Sequence, residues 1–421
     1  MPPSSSRRII AAGTIGNILE WYDFAIYGYF AISIGRTFFP TADPVAQVLA
    51  AFGVFAVGYL MRPLGGAFVG YIGDRYGRRT ALTFSIAAMA IPTFLVGVLP
   101  GYQTLGVLAP VLLMLLRMIQ GLSVGGECTT AFTFMIEQAP AGRRGVVGAV
   151  ASSAATVGIL LGSATGALLA AAMSLESLHA WGWRIPFLLG LLVGMLGFVV
   201  RRHIPEEPQS GGSAPVFKTL RHQGAVLARL AGLAAFSAVS FYLMFLYIVS
   251  WLQFVDGVAP ARALSINTAS MVAVIPVELA AGWLSDRVGR KPLLLGATAL
   301  AFASAAPLFW LMHHADPALI LLGQMGFVLT VGTVLGVQPV LMVETTPLAI
   351  RCTAIALGFN VAFGVLGGLT PLAAAWLVHR TDIDLSPAFM IMVAAAISFV
   401  ATLSFREPPR SALRATAALP Q

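Results

Sequence analysis

About twelve long apolar runs follow one another along this chain of 421 residues, near 9–37, 46–71, 80–99, 107–138, 145–173, 184–201, 230–256, 264–285, 292–313, 317–343, 352–379 and 386–405. Each is at or above the roughly 17–25 residues that a helix needs to cross a bilayer. Lipid offers no hydrogen bonds to the backbone, so such runs are confined to helix. Composition agrees, since 58% of the residues are hydrophobic and 10% charged, against roughly 25% charged in a soluble domain. The expected fold class is an all-α membrane protein with twelve transmembrane helices.

Two motifs occur twice. Gly70 to Arg79 reads GYIGDRYGRR, and Gly282 to Lys291 reads GWLSDRVGRK, at an offset of 212 residues. Glu137-x-x-Pro140-x-x-x-Arg144 closes the fourth run, and Glu344-x-x-Pro347-x-x-x-Arg351 closes the tenth, at an offset of 207. Repetition of two motifs at nearly one spacing predicts two parallel six-helix halves related by an axis along the membrane normal. The halves are expected at 1–200 and 230–421, joined by a Pro-, Gly- and Ser-rich cytoplasmic linker at 201–229.

The net charge of +8 is not spread evenly. With the N-terminus inside, nineteen of the twenty-five Lys and Arg fall in the tails and even-numbered loops, while Arg36, Arg184, Arg262 and Arg380 face the other side. That asymmetry is the positive-inside pattern and predicts that both termini are cytoplasmic. The basic balance therefore reports topology and a bilayer, with no nucleic acid as partner. Cys128 and Cys352 stand in or at helices and form neither a disulfide framework nor a metal site, so no metal and no cofactor is expected.

Polar groups inside the runs are few, and ionisable groups at bilayer depth are costly and as a rule functional. The densest cluster is GNILEWYDFAIYGY, from Gly16 to Tyr29, which contains Asn17, Glu20, Asp23 and Tyr27. Glu20, Asp23 and Tyr27 share one helix face. In the fourth run Arg117 needs a counter-charge, and Asp23 lies at comparable depth, so an Asp23–Arg117 pair is expected. Glu127 follows Arg117 ten residues later, roughly 15 Å along a helix axis. Arg62 reads equally as a snorkelling anchor or as a ligand. Glu278 reads either as a group that titrates with transport or as the partner of a neighbouring arginine, and the pairing is favoured. The aromatic stretch Phe241 to Phe254, including Tyr242, suits an outer gate or a lipid-facing anchor. Ser152, Ser153 and Thr156 lie in a glycine-rich run where most small residues pack helices together. Gln338 and Asn360 are candidate substrate contacts.

Taken in order, these motifs resemble the major facilitator superfamily: the duplicated G-x-x-x-D-R-x-G-R-(R/K) turn, the R-x-x-Q-G from Arg117, and the paired E-x-x-P-x-x-x-R closures. GNILEWYDF, RTFFP at Arg36 to Pro40, RPLGG, QGLSVGGE and WGWRIPF are similar, more narrowly, to the metabolite:proton symporter family. The resemblance implies a bacterial inner-membrane transporter whose cargo belongs to the group of citrate and other tricarboxylates, 2-oxoglutarate, shikimate, or the osmolytes proline and betaine. In related sugar:proton symporters an aspartate of helix 1 and an arginine of helix 4 couple protons. The resemblance carries that role to Asp23 and Arg117, with Glu20 and Glu127 as further candidates. The Gly-Pro core of antiporters is missing from VGILLGSATG, which favours symport.

The reading adopted is proton-coupled import of a small organic acid, a di- or tricarboxylate such as citrate, by a monomer working through alternating access. Substrate is expected near the midplane, in contact with Arg117, Asn17, Tyr27, Tyr242, Gln338 and Asn360. Arginine matches a carboxylate bidentately once Asp23 has taken a proton. A zwitterionic osmolyte is the alternative; osmosensing members tend to carry a coiled-coil C-terminus, and the tail after about 405 has no heptad pattern. A non-transporting nutrient receptor stands further off. No constellation with catalytic spacing supports an enzyme. The charged turns are assigned to gating. Asp74, Arg75, Arg78, Glu137 and Arg144 are expected to latch the cytoplasmic side within the first half, and Asp286, Arg287, Arg290, Glu344 and Arg351 to repeat that latch within the second.

Overall fold

The apolar runs fold as helices, and the punctuation between them comes from residues whose chemistry starts or stops a helix. The computed structural model describes residues 17–18, 20–65, 68–69, 72, 78–123, 127–140, 142–201, 223–314 and 316–407. In the first half, α1 is helical at 17–18, 20–29 and Ala31–Phe38; α2 is Pro44–Gly65, α3 Arg78–Val98, α4 Leu108–Ser123 with Glu127–Gln138, α5 Arg144–Ala172 and α6 Ile185–Arg201. In the second half, α7 is Gly224–Phe254, α8 Pro260–Val288, α9 Arg290–Met312, α10 Pro317–Thr345, α11 Arg351–Thr381 and α12 Ser386–Leu403. Eight of these are long and apolar enough to span a membrane, and Thr83–Val98, Leu108–Ser123 and Gly182–Leu192 are shorter apolar stretches.

Local chemistry explains the boundaries. Asp43 Oδ1 accepts a hydrogen bond from the Val45 N–H at 2.9 Å, and Asp316 Oδ1 from the Ala318 N–H at 2.8 Å, so an Asp-Pro pair caps α2 and α10 alike. Gly289, the glycine of the second charged turn, has φ of 106°, a conformation that strains a side chain, and it separates α8 from α9. One boundary departs from the sequence reading: α7 begins at Gly224, so the end of the expected 201–229 linker is helical. Hydropathy stops at Arg229, but that side chain is exposed, and arginine is a good helix former.

Packing repeats with the sequence. Helix α3 packs on α4 and α6, and α9 packs on α10 and α12 in the same way. Between the halves α5 lies along α8 and α2 along α11, and a shift by six helices converts one pair into the other, as a two-fold relation requires. The α5–α8 approach depends on small residues. A Cβ added to Gly145 would collide with the Gly282 carbonyl oxygen. Two helices widen into π-helical turns, α7 at Leu243–Tyr247 and α11 at Val361–Gly367. Such turns recur at functional sites.

At the end opposite the charged turns, the short helix Leu175–Ala180 docks on α1, where His179 Nδ1 and Ser33 Oγ are 2.7 Å apart. Burial, with nearby Arg36, lowers the His179 pKa from 6.5 to about 4. The unfolded chain binds this proton near pH 6.5 and the folded chain does not until about pH 4. The stabilising contribution is therefore intact above 6.5 and is lost as the pH falls towards 4. Thermal unfolding in detergent should show a fall in midpoint across that window, and His179→Gln should flatten it.

Candidate functional site

The sequence cluster of α1 becomes two buried ion pairs. Asp23 is 2% exposed and Arg117 is 1% exposed, and Arg117 Nη1 donates to Asp23 Oδ2 at 2.8 Å. Thr93 Oγ1 donates to Asp23 Oδ1 at 2.6 Å, and Gln120 Nε2 reaches both carboxylate oxygens at 3.0 Å. Gln120 Oε1 in turn accepts from Arg117 Nη1 at 2.7 Å. The guanidinium lies 4.0 Å from the centre of the Tyr27 ring, whose hydroxyl donates to the Ala51 carbonyl. Three helices thus converge on Asp23: α3 with Thr93 and α4 with Arg117 and Gln120 meet α1. Removing one partner of such a buried pair costs about 3–5 kcal/mol. Protonation of Asp23 removes its charge without removing its hydrogen-bonding capacity, which makes it the one change that loosens this cluster gently.

Glu20 does not join that cluster. It forms a second buried pair with Arg62 of α2, at 2.7 Å between Oε1 and Nη2. The Arg62 guanidinium lies among the rings of Trp21, Phe24 and Tyr59, 5.0–5.7 Å from their centres. A snorkelling anchor is therefore excluded, because the head of Arg62 is 2% exposed and faces the interior.

A cavity lies between the halves, lined by residues of both. Its wall is aromatic, with Trp21 from α1, Phe132 from α4, Phe241 from α7, and Phe359 and Phe363 from α11. Thr156 and Ser152 of α5 and Gln338 of α10 supply polar atoms. Pro339 of α10 has no N–H, so the carbonyl of Leu335 lacks its helical donor, and both residues line the cavity. No Lys, Arg, His, Asp or Glu is among the described residues of the wall. Of the expected substrate contacts only Gln338 lines this cavity; its Oε1 accepts from Ser237 Oγ at 2.6 Å. Asn17 accepts from Trp21 Nε1 at 2.9 Å and so positions a wall residue. Arg117 and Tyr27 belong to the Asp23 cluster. Tyr242 packs edge-on against Tyr59 and Phe363. Asn360 is buried on α11 between Phe359 and Phe363. The aromatic stretch of α7 is neither an outer gate alone nor a lipid anchor, since Phe241 is buried and faces the centre.

The end that carries the charged turns is joined by contacts between the halves as well as by contacts within the second half. Arg351 Nη1 binds Glu137 Oε1 at 2.7 Å, and Arg144 Nη1 lies 3.8 Å from Glu344 Oε1. The two E-x-x-P-x-x-x-R motifs exchange partners: each glutamate meets the arginine of the other half. Arg290 bridges Glu344 and Asp286 within the second half, and Asp286 reaches across to the N-terminus of α5, accepting from the Gly145 and Val146 N–H groups at 2.8 and 3.2 Å. A carboxylate there satisfies orphan N–H groups and complements the helix dipole. Arg287 makes no ion pair among the described residues; it stacks on exposed Trp283 of its own helix, 3.7 Å from the ring centre. The closing motifs thus pair across the halves, where a latch inside each half was expected, because the two-fold relation brings their copies together, while Arg290 with Asp286 and Glu344 keeps to the second half as expected. Asp74 and Arg75 lie outside the described residues, as do the side chains of Arg78 and Glu127.

The model of the sugar (and other) transporter family matches residues 9–210 and 234–414, one segment for each half. This chain belongs to that family, within the major facilitator superfamily. It is 34% identical over 426 residues to the proline/betaine transporter of Salmonella typhimurium, covering 97% of this chain and 85% of that one. It is equally 34% identical over 425 residues to the glycine betaine/proline/ectoine/pipecolic acid transporter OusA of Dickeya dadantii, with the same coverage. Among solved structures it superposes on the proton:xylose symporter XylE bound to 6-bromo-6-deoxy-D-glucose, with a TM-score of 0.74 at 20% identity over 96% of this chain and 95% of that chain. The crystal structure of D-xylose-proton symporter gives 0.72 at 21% identity over 95% and 97%. The fold is that of the superfamily, and the chain is a multi-pass membrane transporter, not an enzyme.

The exchanged pairs join the two halves at the charged end. The Glu137–Arg351 pair is partly exposed, and such pairs contribute up to about 1 kcal/mol. Glu137→Arg should favour separation of α4 from α11, by about fivefold or more in the population ratio on that energy scale. Adding Arg351→Glu should restore the original distance distribution between spin labels on the two helices.

Proposed function

We propose that this protein imports a small zwitterionic osmolyte of the betaine or proline class together with protons, by alternating access across a bacterial inner membrane, with both termini in the cytoplasm. The single observation that carries the choice of cargo is the cavity wall. Five aromatic rings with a few hydroxyl and amide groups suit a quaternary or secondary ammonium, which the negative faces of aromatic rings attract. A tricarboxylate would demand a cluster of cationic donors, and none lies in the described wall. Relatives that are proline/betaine and glycine betaine/proline/ectoine/pipecolic acid transporters support the same class. The expectation of an organic acid such as citrate therefore gives way to the osmolyte.

Proton coupling is assigned to Asp23 with Arg117. The support is physical: a fully buried carboxylate held by one guanidinium, one amide and one hydroxyl is stable charged, and stays hydrogen-bonded when neutral. Protonation would free Arg117 from its counter-charge and weaken the junction of α1, α3 and α4, so the first half could change shape only with a proton aboard. Glu20 and Arg62, whose guanidinium carbon lies 5.7 Å from the centre of the Trp21 ring, would transmit occupancy of the cavity to that junction.

Uptake into proteoliposomes tests the reading. An inward proton gradient should drive accumulation of radiolabelled glycine betaine or proline, and citrate should neither accumulate nor compete; accumulation of citrate alone would overturn the assignment. Asp23→Asn should abolish accumulation against a gradient while leaving exchange of labelled for unlabelled substrate. Trp21→Leu should weaken betaine binding by about thirtyfold, as expected for loss of one desolvated cation–π contact of about 2 kcal/mol, read by isothermal titration.

A further inference from the structure

Glu278 of α8 is fully buried, and unlike Glu20, Asp23 and Glu344 it makes no ion pair among the described residues. Its two oxygens face α5 across the boundary between the halves. Oε2 lies 2.6 Å from Ser153 Oγ, and Oε1 lies 2.7 Å from Thr156 Oγ1. Behind it α10 is pressed against its backbone: a Cβ added to Gly336 would collide with the Glu278 carbonyl oxygen. The charged groups on the packed elements are remote and engaged elsewhere. Arg144 of α5, Asp286 of α8, Arg290 at the start of α9 and Glu344 of α10 belong to the clasp at the charged end; of the other charges on α8, Arg287 stacks on Trp283 and Arg262 stands at the opposite end of the helix. The nearest along α8, Asp286, is eight residues away, about 12 Å at 1.5 Å per residue.

The hydroxyl geometry accommodates two protonation states. Ser153 Oγ is also 2.8 Å from the Ala149 carbonyl oxygen, and its single proton cannot serve both acceptors. When Glu278 is a carboxylate, Ser153 donates to it. When Glu278 is an acid, its O–H donates to Ser153 Oγ, and the serine proton turns to Ala149. The switch needs only rotation of a hydroxyl. An ionised carboxylate sealed from water with neutral partners is costly, and the group neutralises instead.

We infer that Glu278 is a second proton-binding carboxyl, seated on the α5–α8 interface, which holds a proton while the halves are packed and releases it to water when they part. Water reaching the separated surfaces stabilises the carboxylate, and α5 and α8 cannot close again without either a proton or the full cost of burying the charge. Thr156 joins this site to the cavity, because it both lines the wall and donates to Glu278 Oε1. The inference deepens the proposed proton coupling, but the proton site is read without substrate.

The test uses the full chain in lipid without substrate, so failure of the osmolyte assignment leaves it intact. Infrared difference spectra between mildly acidic and alkaline pH should contain a protonated-carboxyl stretch that Glu278→Gln removes and Asp23→Asn keeps. Ser153→Ala and Thr156→Val, each removing one hydrogen bond to the carboxyl, should shift the frequency of the same band, which keeps the test decisive if Glu278→Gln fails to fold. Spin-label distances between α5 and α8 should lengthen on alkalinisation and stay short in Glu278→Gln. A band unchanged by all three substitutions, or equal lengthening in Glu278→Gln, would overturn the proposal.

Discussion

A charge inside hydrocarbon must bring its own compensation, and the interior of this protein is organised by that requirement. The pair of Asp23 and Arg117 is the central case, because it fixes α1, α3 and α4 relative to one another through Thr93 and Gln120. Around it the rest of the first half has little freedom. Glu20 is driven to a separate partner on α2 since Arg117 is already occupied, and that partner, Arg62, is wrapped in rings of which Trp21 also borders the cavity. Compensation changes with depth. Guanidinium groups neutralise Asp23 and Glu20, among the described residues hydroxyls serve Glu278, and at the charged end Glu137 and Arg144 are within reach of water while Glu344, Asp286 and Arg290 are nearly buried.

The duplicated architecture adds a second constraint. Each half supplies what the other lacks: the glutamate of one closing motif meets the arginine of its copy, and Asp286 from the second half caps α5 of the first. Within neither closing motif does the glutamate pair with its own arginine among the described residues. Smooth surfaces complete the join, with Gly145 against Gly282 and Gly368 against Tyr59, so that two bundles can approach over their full length. The halves are thereby complementary as well as similar.

Much of this was legible in the sequence where one-dimensional spacing translates directly into geometry. Helix number follows from hydropathy, and the Asp23–Arg117 pair follows from counting residues inward from each end of two helices. Partner choice across the molecule was not legible. Nothing in the spacing of Glu137 and Arg144 says that each prefers the opposite copy, and the arginine expected beside Glu278 is replaced by two hydroxyls. The cavity was hidden for a related reason. Phe241 and Phe363 look alike whether they face lipid or a ligand, and only packing separates the two. The choice of an acid leaned on the arginine and on the tail, yet the residues that face the cavity include neither. Trp21 was within reach of sequence reasoning, since it stands between Glu20 and Asp23 in the densest polar cluster of the membrane region.

The contacts that hold the halves together fall into two classes with different sensitivities. The exchanged pairs at the charged end are partly exposed, at 34% for the Glu137 side chain and 25% for that of Arg144. Mobile ions screen such charges within a Debye length of about 8–10 Å at ordinary ionic strength, and more strongly as salt rises. The junction at Glu278 and the aromatic wall are closed to ions and respond to hydration and protonation instead. Ionic strength therefore acts on one end of this molecule and leaves its middle alone. The salt content of the solution facing the charged end loosens the clasp without touching the chemistry at the centre.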